Sequence, residues 1–242
     1  MTEENRDHVS ISCLVDYLKY QKDVALSQAA ENLTSYWGLN FEEASPTTPT
    51  TVQYTHGVGN LAAHISNHNH RVALLFDSIE ALEFSIELRE ERNTEFVSII
   101  EEVLPVEEVS FPISPDGKGW KNVILDDILM FVGGDLQLMS LLRAIYLSMA
   151  EESKLIIRIP QLKKSSWNRE YNATVVTESV EKTSVRKFTR ALTSHGEIEL
   201  RHTEDMYNFA IGDIHESARA AKFRPTRDMG LDPSVWCCYD KV

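Results

Sequence analysis

Residues 123–149 read Val-Ile-Leu-Asp-Asp-Ile-Leu-Met-Phe-Val-Gly-Gly-Asp-Leu-Gln-Leu-Met-Ser-Leu-Leu-Arg-Ala-Ile-Tyr-Leu-Ser-Met, and they hold the two longest apolar runs of the 242-residue chain. Asp135 is a suitable helix N-cap, and apolar residues follow it at helical spacing, namely Leu138, Leu142, Ile145 and Met149. We therefore expect a strong helix after Asp135. The preceding run, 123–132, is expected to pack with it as a central buried helical hairpin.

Shorter patterns on both sides of this centre predict the other elements. Compact or alternating apolar runs predict strands at residues 71–76, 109–113, 155–159, 173–177 and 197–202. Helical spacing predicts helices at residues 96–103, 183–194 and 210–221. Residues 78–91 fit both a helical face and a half-buried strand, and we favour the helix.

These elements predict a helix-rich α+β fold with an N-terminal helical hairpin and a central helical hairpin packed on a small mixed or antiparallel sheet. Residues 1–44 supply the N-terminal hairpin, which has a helix-turn-helix-like pattern, and residues 45–51 are rich in Pro and Thr and predict a linker. Residues 52–160 are expected to form an acidic α+β core. Residues 161–242 form a near-neutral C-terminal part, either separate or in the same domain as 52–160.

The negative charge of the chain is concentrated in one segment. The formal net charge is −13, but residues 77–108 alone hold 11 acidic and 2 basic residues, whereas residues 161–242 hold 12 acidic and 13 basic ones. Asp77 opens this acidic segment, with Glu80 three positions later in the manner of a capping box. Such a segment favours docking on a basic partner surface, and its candidate contact residues are Glu83, Glu87, Glu90, Glu91, Glu101 and Glu102.

A histidine cluster is the most conspicuous candidate metal site. Half of the 8 histidines lie within it: His56, His64, His68 and His70. If His64 and His68 share a helix, their imidazoles lie on one face at the spacing by which helices present two ligands to one ion. A solvated histidine-rich loop remains the alternative, because Asn67 and Asn69 favour a turn.

Other chemical motifs are weaker. Adjacent carboxylates occur at Asp126-Asp127 and at Glu101-Glu102, but no lysine lies near either pair in sequence. The stretch His56-Gly57-Val58-Gly59-Asn60 has two glycines and lacks a third at the dinucleotide-binding spacing, so we do not expect nucleotide binding by a standard motif. No cofactor is therefore predicted, with a divalent metal as the alternative.

The near-neutral part carries two small basic patches. The predicted helix at 183–194 has one basic face, and a second patch follows in the segment 217–227. Together they provide candidate phosphate contacts, which are Lys182, Arg186, Lys187, Arg190, Arg219, Lys222, Arg224 and Arg227.

Three functions remain open from the sequence. The first is a non-enzymatic regulatory or adaptor protein whose acidic segment docks a basic protein partner. The alternatives are a DNA- or RNA-binding regulator that uses the basic patches, and a metal-dependent hydrolase built on the histidine cluster.

Composition and the first residues of the chain bear on location. A content of 43% hydrophobic and 9% aromatic residues is that of a globular protein and excludes a disordered chain. The N-terminal residues have neither the basic start nor the apolar run of a secretory signal, and the odd number of cysteines, 3, favours reduced thiols. We expect a cytoplasmic protein without a membrane partner.

Overall fold

The computed structural model describes residues 39, 48–56, 59, 61–62, 65, 71–79, 81–83, 85–86, 101–106, 110–160, 165–168, 173–180, 183–193, 197–231 and 234–242. The strands in this part of the chain, in order, are β1 Thr51–Thr55, β2 Val72–Phe76, β3 Glu101–Val103, β4 Trp120–Asp126, β5 Met149–Pro160, β6 Ser165–Asn168, β7 Ala173–Val180, β8 Thr183–Thr193, β9 Glu197–Tyr207, β10 Phe223–Leu231 and β11 Ser234–Lys241. Two helices are described from end to end, α1 Asp135–Ser148 and α2 Ile211–Ala220, and a 3₁₀ helix spans Ile128–Phe131. Further helical residues are described at 61–62, 65, 79, 81–83 and 85–86.

Two sheets contain all of these strands. The larger has seven strands in the order β3-β2-β1-β4-β5-β11-β10, and the smaller is an antiparallel sheet in the order β6-β7-β8-β9. In the larger sheet, the pairs between β3 and β5 are parallel, whereas β11 is antiparallel to both β5 and β10. The strand order runs outward in both directions from β1, so the sheet has a topological switch point between β1 and β4.

The core on one face of the large sheet is built from alternate residues of its strands. α1 and α2 pack together on this face, where their buried side chains include Leu138, Leu142, Ile145, Ile214 and Ala218. The strands contribute pairs two positions apart, as a pleated backbone requires, and these are Val52 and Tyr54, Ala73 and Leu75, Val123 and Leu125, Leu155 and Ile157, and Cys237 and Tyr239.

The predicted helix-rich α+β fold is wrong, because the described chain is an α/β structure organised by a mostly parallel sheet. The central helical hairpin is also wrong. Its second half is helix α1, as predicted, but residues 123–126 end strand β4 and residues 128–131 form the 3₁₀ helix. A strand covered on both faces has a continuous apolar run, and over this length that run cannot be told from a buried helix by periodicity.

The basic helix predicted at 183–194 is wrong too. This segment is β8, which pairs along its length with β7 on one side and β9 on the other. Arg186 and Arg190 are therefore strand residues, directly opposite Glu204 and Leu200 of β9. The helical spacing on which the predicted basic face depended is absent.

Several other expectations are confirmed. Strands are present at 72–76, 155–159, 173–177 and 197–202, a helix is present at 211–220, and the described residues between 79 and 86 are helical. Residues 101–103 form β3, where a helix was predicted, and residues 110–113 are not a strand. The N-terminal hairpin predicted in 1–44 lies almost wholly outside the described residues.

The large sheet takes strands from both sides of Pro160, since β10 and β11 pair with β5. The domain boundaries expected at 44, 51 and 160 stay predictions. Within the part of the chain that the structure describes, no helix has the length and apolar character that a membrane crossing demands.

The start of β4 lies close to the backbone at the junction of α1 and β5. Gly119 has a φ of +88°, and a Cβ atom added there would lie 2.6 Å from the nitrogen of Ala150 and 2.7 Å from the carbonyl carbon of Met149. We expect Gly119→Ala to lower the free energy of unfolding by about 3 kcal/mol, because a left-handed backbone strain adds to a clash with backbone atoms that cannot rotate away. Urea unfolding followed by tryptophan fluorescence measures this loss.

Gly117→Ala is the matched control. Gly117 has a φ of +71°, but an added Cβ would have no atom within 4 Å. Only the backbone strain of about 1 kcal/mol is expected there. Equal losses in the two variants would contradict the close approach at Gly119.

Candidate functional site

The carboxyl ends of the parallel strands meet at one edge of the large sheet. In open α/β sheets, ligands bind outside these ends at the switch point, where neighbouring connections leave on opposite faces. The residues at or just after the ends of β1, β2 and β4 are His56, Asp77, Asp126 and Asp127. We call this group the strand-end site.

His56 connects three parts of the strand-end site. Its Nδ1 contacts the Oδ2 of Asp77, and its ring stacks on Phe131 of the 3₁₀ helix with the ring centroids 3.4 Å apart. Its backbone N–H donates to the carbonyl oxygen of Asp126 at 3.4 Å. One residue after β1 therefore joins the ends of β2 and β4 to the helix that follows β4.

A buried ion pair lies at the ends of β4 and β5. Arg158 donates from Nη1 to Oδ1 of Asp126 at 2.8 Å, and Gln53 of β1 donates from Nε2 to the other oxygen, Oδ2, at 2.7 Å. The side chains of Arg158 and Asp126 are 7% and 4% exposed, so water screens their attraction weakly. The guanidinium of Arg158 also lies over the ring of Trp236, 5.6 Å from its centroid.

Some buried polar atoms of this region have no hydrogen-bond partner within the described part of the chain. They are Oδ1 of Asp77, Oδ1 of Asp127 and Oε1 of Gln53. The Oδ1 of Asp127 lies 3.9 Å from Nε of Arg158, and Asp127 itself has a left-handed backbone with a φ of 59°. Unsatisfied buried acceptors are costly and uncommon in folded proteins. Two such carboxylate oxygens at the carboxyl ends of the strands therefore suit a ligand that carries hydrogen-bond donors.

A glycine-rich segment, residues 57–62, follows β1 in the sequence, and the structure describes Gly59, Leu61 and Ala62 of it. Gly59 has a φ of +77°, and a Cβ there would lie 3.1 Å from both methyl carbons of Leu74. In the sequence Gly57-Val58-Gly59-Asn60-Leu61-Ala62, the third position of the dinucleotide-binding pattern is held by alanine, which that pattern accepts. Ala62 is fully buried, as close packing of helix on strand requires.

This segment corrects an expectation from the sequence. Nucleotide binding by a standard motif was not expected because a third glycine is missing, but the small residue at Ala62 satisfies the same packing requirement. The pattern also calls for an acidic residue about 20 positions downstream, at the end of the next strand, where it accepts hydrogen bonds from ribose hydroxyls. Asp77 occupies that position directly after β2. The sequence contained this signal, and it was read there as a helix cap.

The predicted metal cluster is described at one of its four histidines. His56 is buried and contacts Asp77, whereas His64, His68 and His70 lie outside the described residues. Ligation by these four residues stays a prediction.

The predicted acidic docking residues are partly described. Glu83 and Glu102 are exposed, Glu101 lies in β3, and Glu87, Glu90 and Glu91 lie outside the described residues. Exposure is compatible with partner binding, and the contact residues stay a prediction.

The predicted phosphate-binding residues are distributed over two parts of the fold. Arg186, Lys187 and Arg190 lie in β8 of the small sheet, and the others that are described lie in or near α2 and β10, namely Arg219, Lys222, Arg224 and Arg227. Arg224 donates to Asp240 at 3.2 Å. Lys182 lies outside the described residues, and nucleic-acid contact by this set stays a prediction.

The cysteines at the end of the chain are buried and free. Burial raises the pKa of Cys237 to about 12 and also raises the pKa of Cys238. Both are therefore protonated thiols at neutral pH, which excludes them as ready nucleophiles.

Comparison with known proteins relates the fold to one class of enzyme. An S-adenosylmethionine-dependent methyltransferase from Clostridium acetobutylicum has a TM-score of 0.68 at 8% identity, over 94% of this chain and 96% of its own. The amino pentose methyltransferase CalS10 from Micromonospora echinaspora, solved with S-adenosylmethionine bound, has a TM-score of 0.68 at 11% identity, over 97% and 99%. The CcbJ methyltransferase from Streptomyces caelestis has a TM-score of 0.69 at 10% identity and full coverage of both chains.

No protein-family model matches the chain, and no curated protein sequence does. At these low identities the structural likeness shows the fold, which is the Rossmann-like α/β fold of the neighbours. The comparisons contradict the predicted non-enzymatic regulator or adaptor and its helix-turn-helix character, because these neighbours are methyltransferases. They also contradict the predicted absence of a cofactor, because one neighbour is S-adenosylmethionine-dependent and another was solved with S-adenosylmethionine bound.

The Arg158–Asp126 pair allows a direct test of what holds the strand-end site. We expect Arg158→Met to lower the free energy of unfolding by about 3 kcal/mol, since it leaves the Asp126 carboxylate buried without its cation. Adding Asp126→Asn is expected to restore part of the loss because no uncompensated charge remains. Urea unfolding of the single and double variants gives both values.

Lys154→Met is the control, because it removes a cation of a more exposed ion pair from the same strand, β5. Lys154 donates to Asp240 at 2.8 Å, but these side chains are 28% and 22% exposed. A loss below about 1 kcal/mol is expected for this screened pair. If Lys154→Met and Arg158→Met lowered the free energy of unfolding by similar amounts, burial of the Arg158 pair would not increase its importance for stability.

Proposed function

We propose that this protein is an S-adenosylmethionine-dependent methyltransferase that binds its methyl donor at the strand-end site. The observation that carries the proposal is Asp77, which follows β2 directly, contacts His56 at the end of β1 and has one buried carboxylate oxygen without a partner among the described residues. The likeness of the whole fold to methyltransferases supports the choice of ligand.

The residues at the strand ends fit the chemistry of a nucleoside ligand. Asp77 uses Oδ2 for His56 and keeps Oδ1 as an acceptor for ribose hydroxyls. Gly59, with a φ of +77°, bears no side chain, so the backbone at this position leaves room for a ligand to approach closely. Asp127 offers a second buried acceptor for a donor group such as an amine.

When bound, S-adenosylmethionine supplies an electrophilic methyl carbon on its sulfonium sulfur to a nucleophilic atom of the acceptor. The protein's own contribution in this proposal is binding and orientation. Asp126 is neutralised by Arg158, and this pair joins the ends of β4 and β5. Asp127 lies beside it, with its Oδ1 3.9 Å from Nε of Arg158. His56 orients Asp77 and, through its stack on Phe131, holds the 3₁₀ helix against the end of β1.

For the acceptor we propose a small molecule with a nucleophilic amine. The support is that the structural neighbours include the amino pentose methyltransferase CalS10 and the sugar N-methyltransferase KedS8 from Streptoalloteichus, the latter with a TM-score of 0.63 at 14% identity. The cytoplasm remains the compartment we propose, and the buried free thiols of Cys237 and Cys238 support it.

Binding of the methyl donor tests the proposal most directly. Isothermal titration calorimetry of the full chain is expected to show one site for S-adenosylmethionine. Asp77→Asn is expected to weaken binding by about 10- to 100-fold, because it replaces charge-assisted hydrogen bonds to hydroxyls by neutral ones. Glu83→Gln is the matched control, since Glu83 lies six positions further on and is exposed, and it should bind like the unchanged protein.

Three outcomes would contradict the proposal. They are no binding of S-adenosylmethionine by the folded protein, equal affinity in the Asp77→Asn variant, and binding of a nicotinamide dinucleotide in its place. The last outcome would keep the site and change the reaction to hydride transfer. Urea unfolding of the Asp77→Asn variant separates a lost ligand contact from a lost fold.

A further inference from the structure

A second cluster of chemically active side chains lies at the side of the large sheet that β10 and β11 form. It comprises His215 of α2, Asp228 of β10 and Cys237 of β11. The Nε2 of His215 lies 3.1 Å from Oδ2 of Asp228, and one nitrogen, one oxygen and the sulfur of these residues all lie within 4.8 Å of one another. β11 is separated from β1 by β4 and β5, so this cluster is distinct from the strand-end site.

The fold brings these three side chains together from distant parts of the sequence. Asp228 and Cys237 are directly opposite each other in the antiparallel pair of β10 and β11, next to a register irregularity between Pro225 and Asp228. Cys237 and Tyr239 face the core side of the sheet, where α2 packs and presents His215. The three elements are thereby fixed by the core, independently of any ion.

The donor set suits a borderline-soft divalent cation. Imidazole nitrogen, carboxylate oxygen and thiolate sulfur are the ligands that zinc takes in proteins, whereas magnesium and calcium prefer oxygen alone. With bonds of about 2.0 to 2.3 Å, ligand atoms around a tetrahedral zinc lie about 3.5 Å apart. The observed separations, at most 4.8 Å, therefore need to close by about 1.3 Å at most.

Tyr239 provides the outer hydrogen bond that such a site requires. Its hydroxyl lies 3.0 Å from Nδ1 of His215. If Nδ1 carries the imidazole proton and donates it to the hydroxyl oxygen, Nε2 has its lone pair available for a metal. Metal-ligating histidines are held in this way by a partner on the second ring nitrogen.

We propose that His215, Asp228 and Cys237 form a zinc-binding site that ties α2 to the β10–β11 edge of the sheet. Three protein ligands leave a fourth position for water, and the partial exposure of His215 and Asp228, 18% and 36%, gives the ion a path from solvent. The site holds one metal ion and does not depend on methyl transfer.

Binding of the metal ion displaces a proton and involves no redox step. The zinc ion forms bonds to Nε2, to a carboxylate oxygen and to the sulfur, and the thiol of Cys237 releases one proton to solvent. His215 binds through the lone pair of Nε2, with the imidazole proton on Nδ1. Because the thiol must lose its proton, metal affinity should increase with pH.

Cobalt substitution provides a test with a readout specific to the thiolate. The full chain, untagged and washed with chelator, is titrated with Co²⁺ while the absorption spectrum is recorded. We expect one equivalent of Co²⁺ to produce a thiolate-to-cobalt charge-transfer band in the near ultraviolet, and Zn²⁺ to displace it. The other histidines of the chain cannot produce this band, because they have no sulfur.

The adjacent cysteines give a matched pair of variants. Cys237→Ala is expected to lose the band, and Cys238→Ala is expected to keep it, because neighbouring residues of a strand point to opposite faces. No band in the unchanged protein, or a band that survives in Cys237→Ala, would overturn the proposal. So would a band that is lost in Cys238→Ala but not in Cys237→Ala.

Two further variants keep the test valid if loss of Cys237 prevents folding. Asp228 is partly exposed, so Asp228→Asn should fold, and we expect its affinity for Co²⁺ to fall at least about tenfold. Tyr239→Phe removes the outer hydrogen bond and should cost about 10- to 100-fold in affinity. Unchanged affinity in both variants would also overturn the proposal.

Discussion

The buried ion pair between Arg158 and Asp126 is the interaction on which the strand-end site depends. It joins the ends of β4 and β5, and through Gln53 it extends to β1, so three central strands are connected at the edge where a ligand is expected. A charge buried to this degree is tolerated only while its partner stays in place. Asp127 and the 3₁₀ helix follow Asp126 directly in the chain, so this pair is the anchor at which they begin.

The sequence predicted elements better than it predicted their arrangement. Helix α1 was recognisable because its apolar pattern is long and begins directly after Gly133-Gly134, and strand β5 because its compact apolar run stops at Pro160. The run before α1 was misread because a strand buried on both faces has no alternation. This error made the predicted fold class wrong as well, because β4 is a parallel strand in the middle of the sheet and the topology depends on it. Nothing local shows that β1 pairs with β4, which lies about 70 positions away.

The residues of the strand-end site could be singled out in the sequence, but their proximity in the fold could not be predicted from it. His56, Asp77 and Asp126 each attracted attention for a different reason: a histidine cluster, the start of an acidic segment, and a carboxylate pair. They lie together because parallel strands bring their carboxyl ends to one edge. The glycine-rich segment after β1 was not expected to bind a nucleotide because a third glycine was required. That requirement was too strict, since Ala62 meets the same packing need as glycine.

The four strands β6 to β9 have a consequence for how the chain folds. The last residues of β5 pair with the first of β11, Pro160 with Ser234, so a long segment must be closed before this part of the sheet can form. Between them the chain makes an antiparallel meander of neighbouring strands, each of which needs only a short turn to find the next. A meander of local hairpins forms faster than a contact between distant strands. It also shortens the effective loop that β5 and β11 must close, and so reduces the entropy cost of completing the larger sheet.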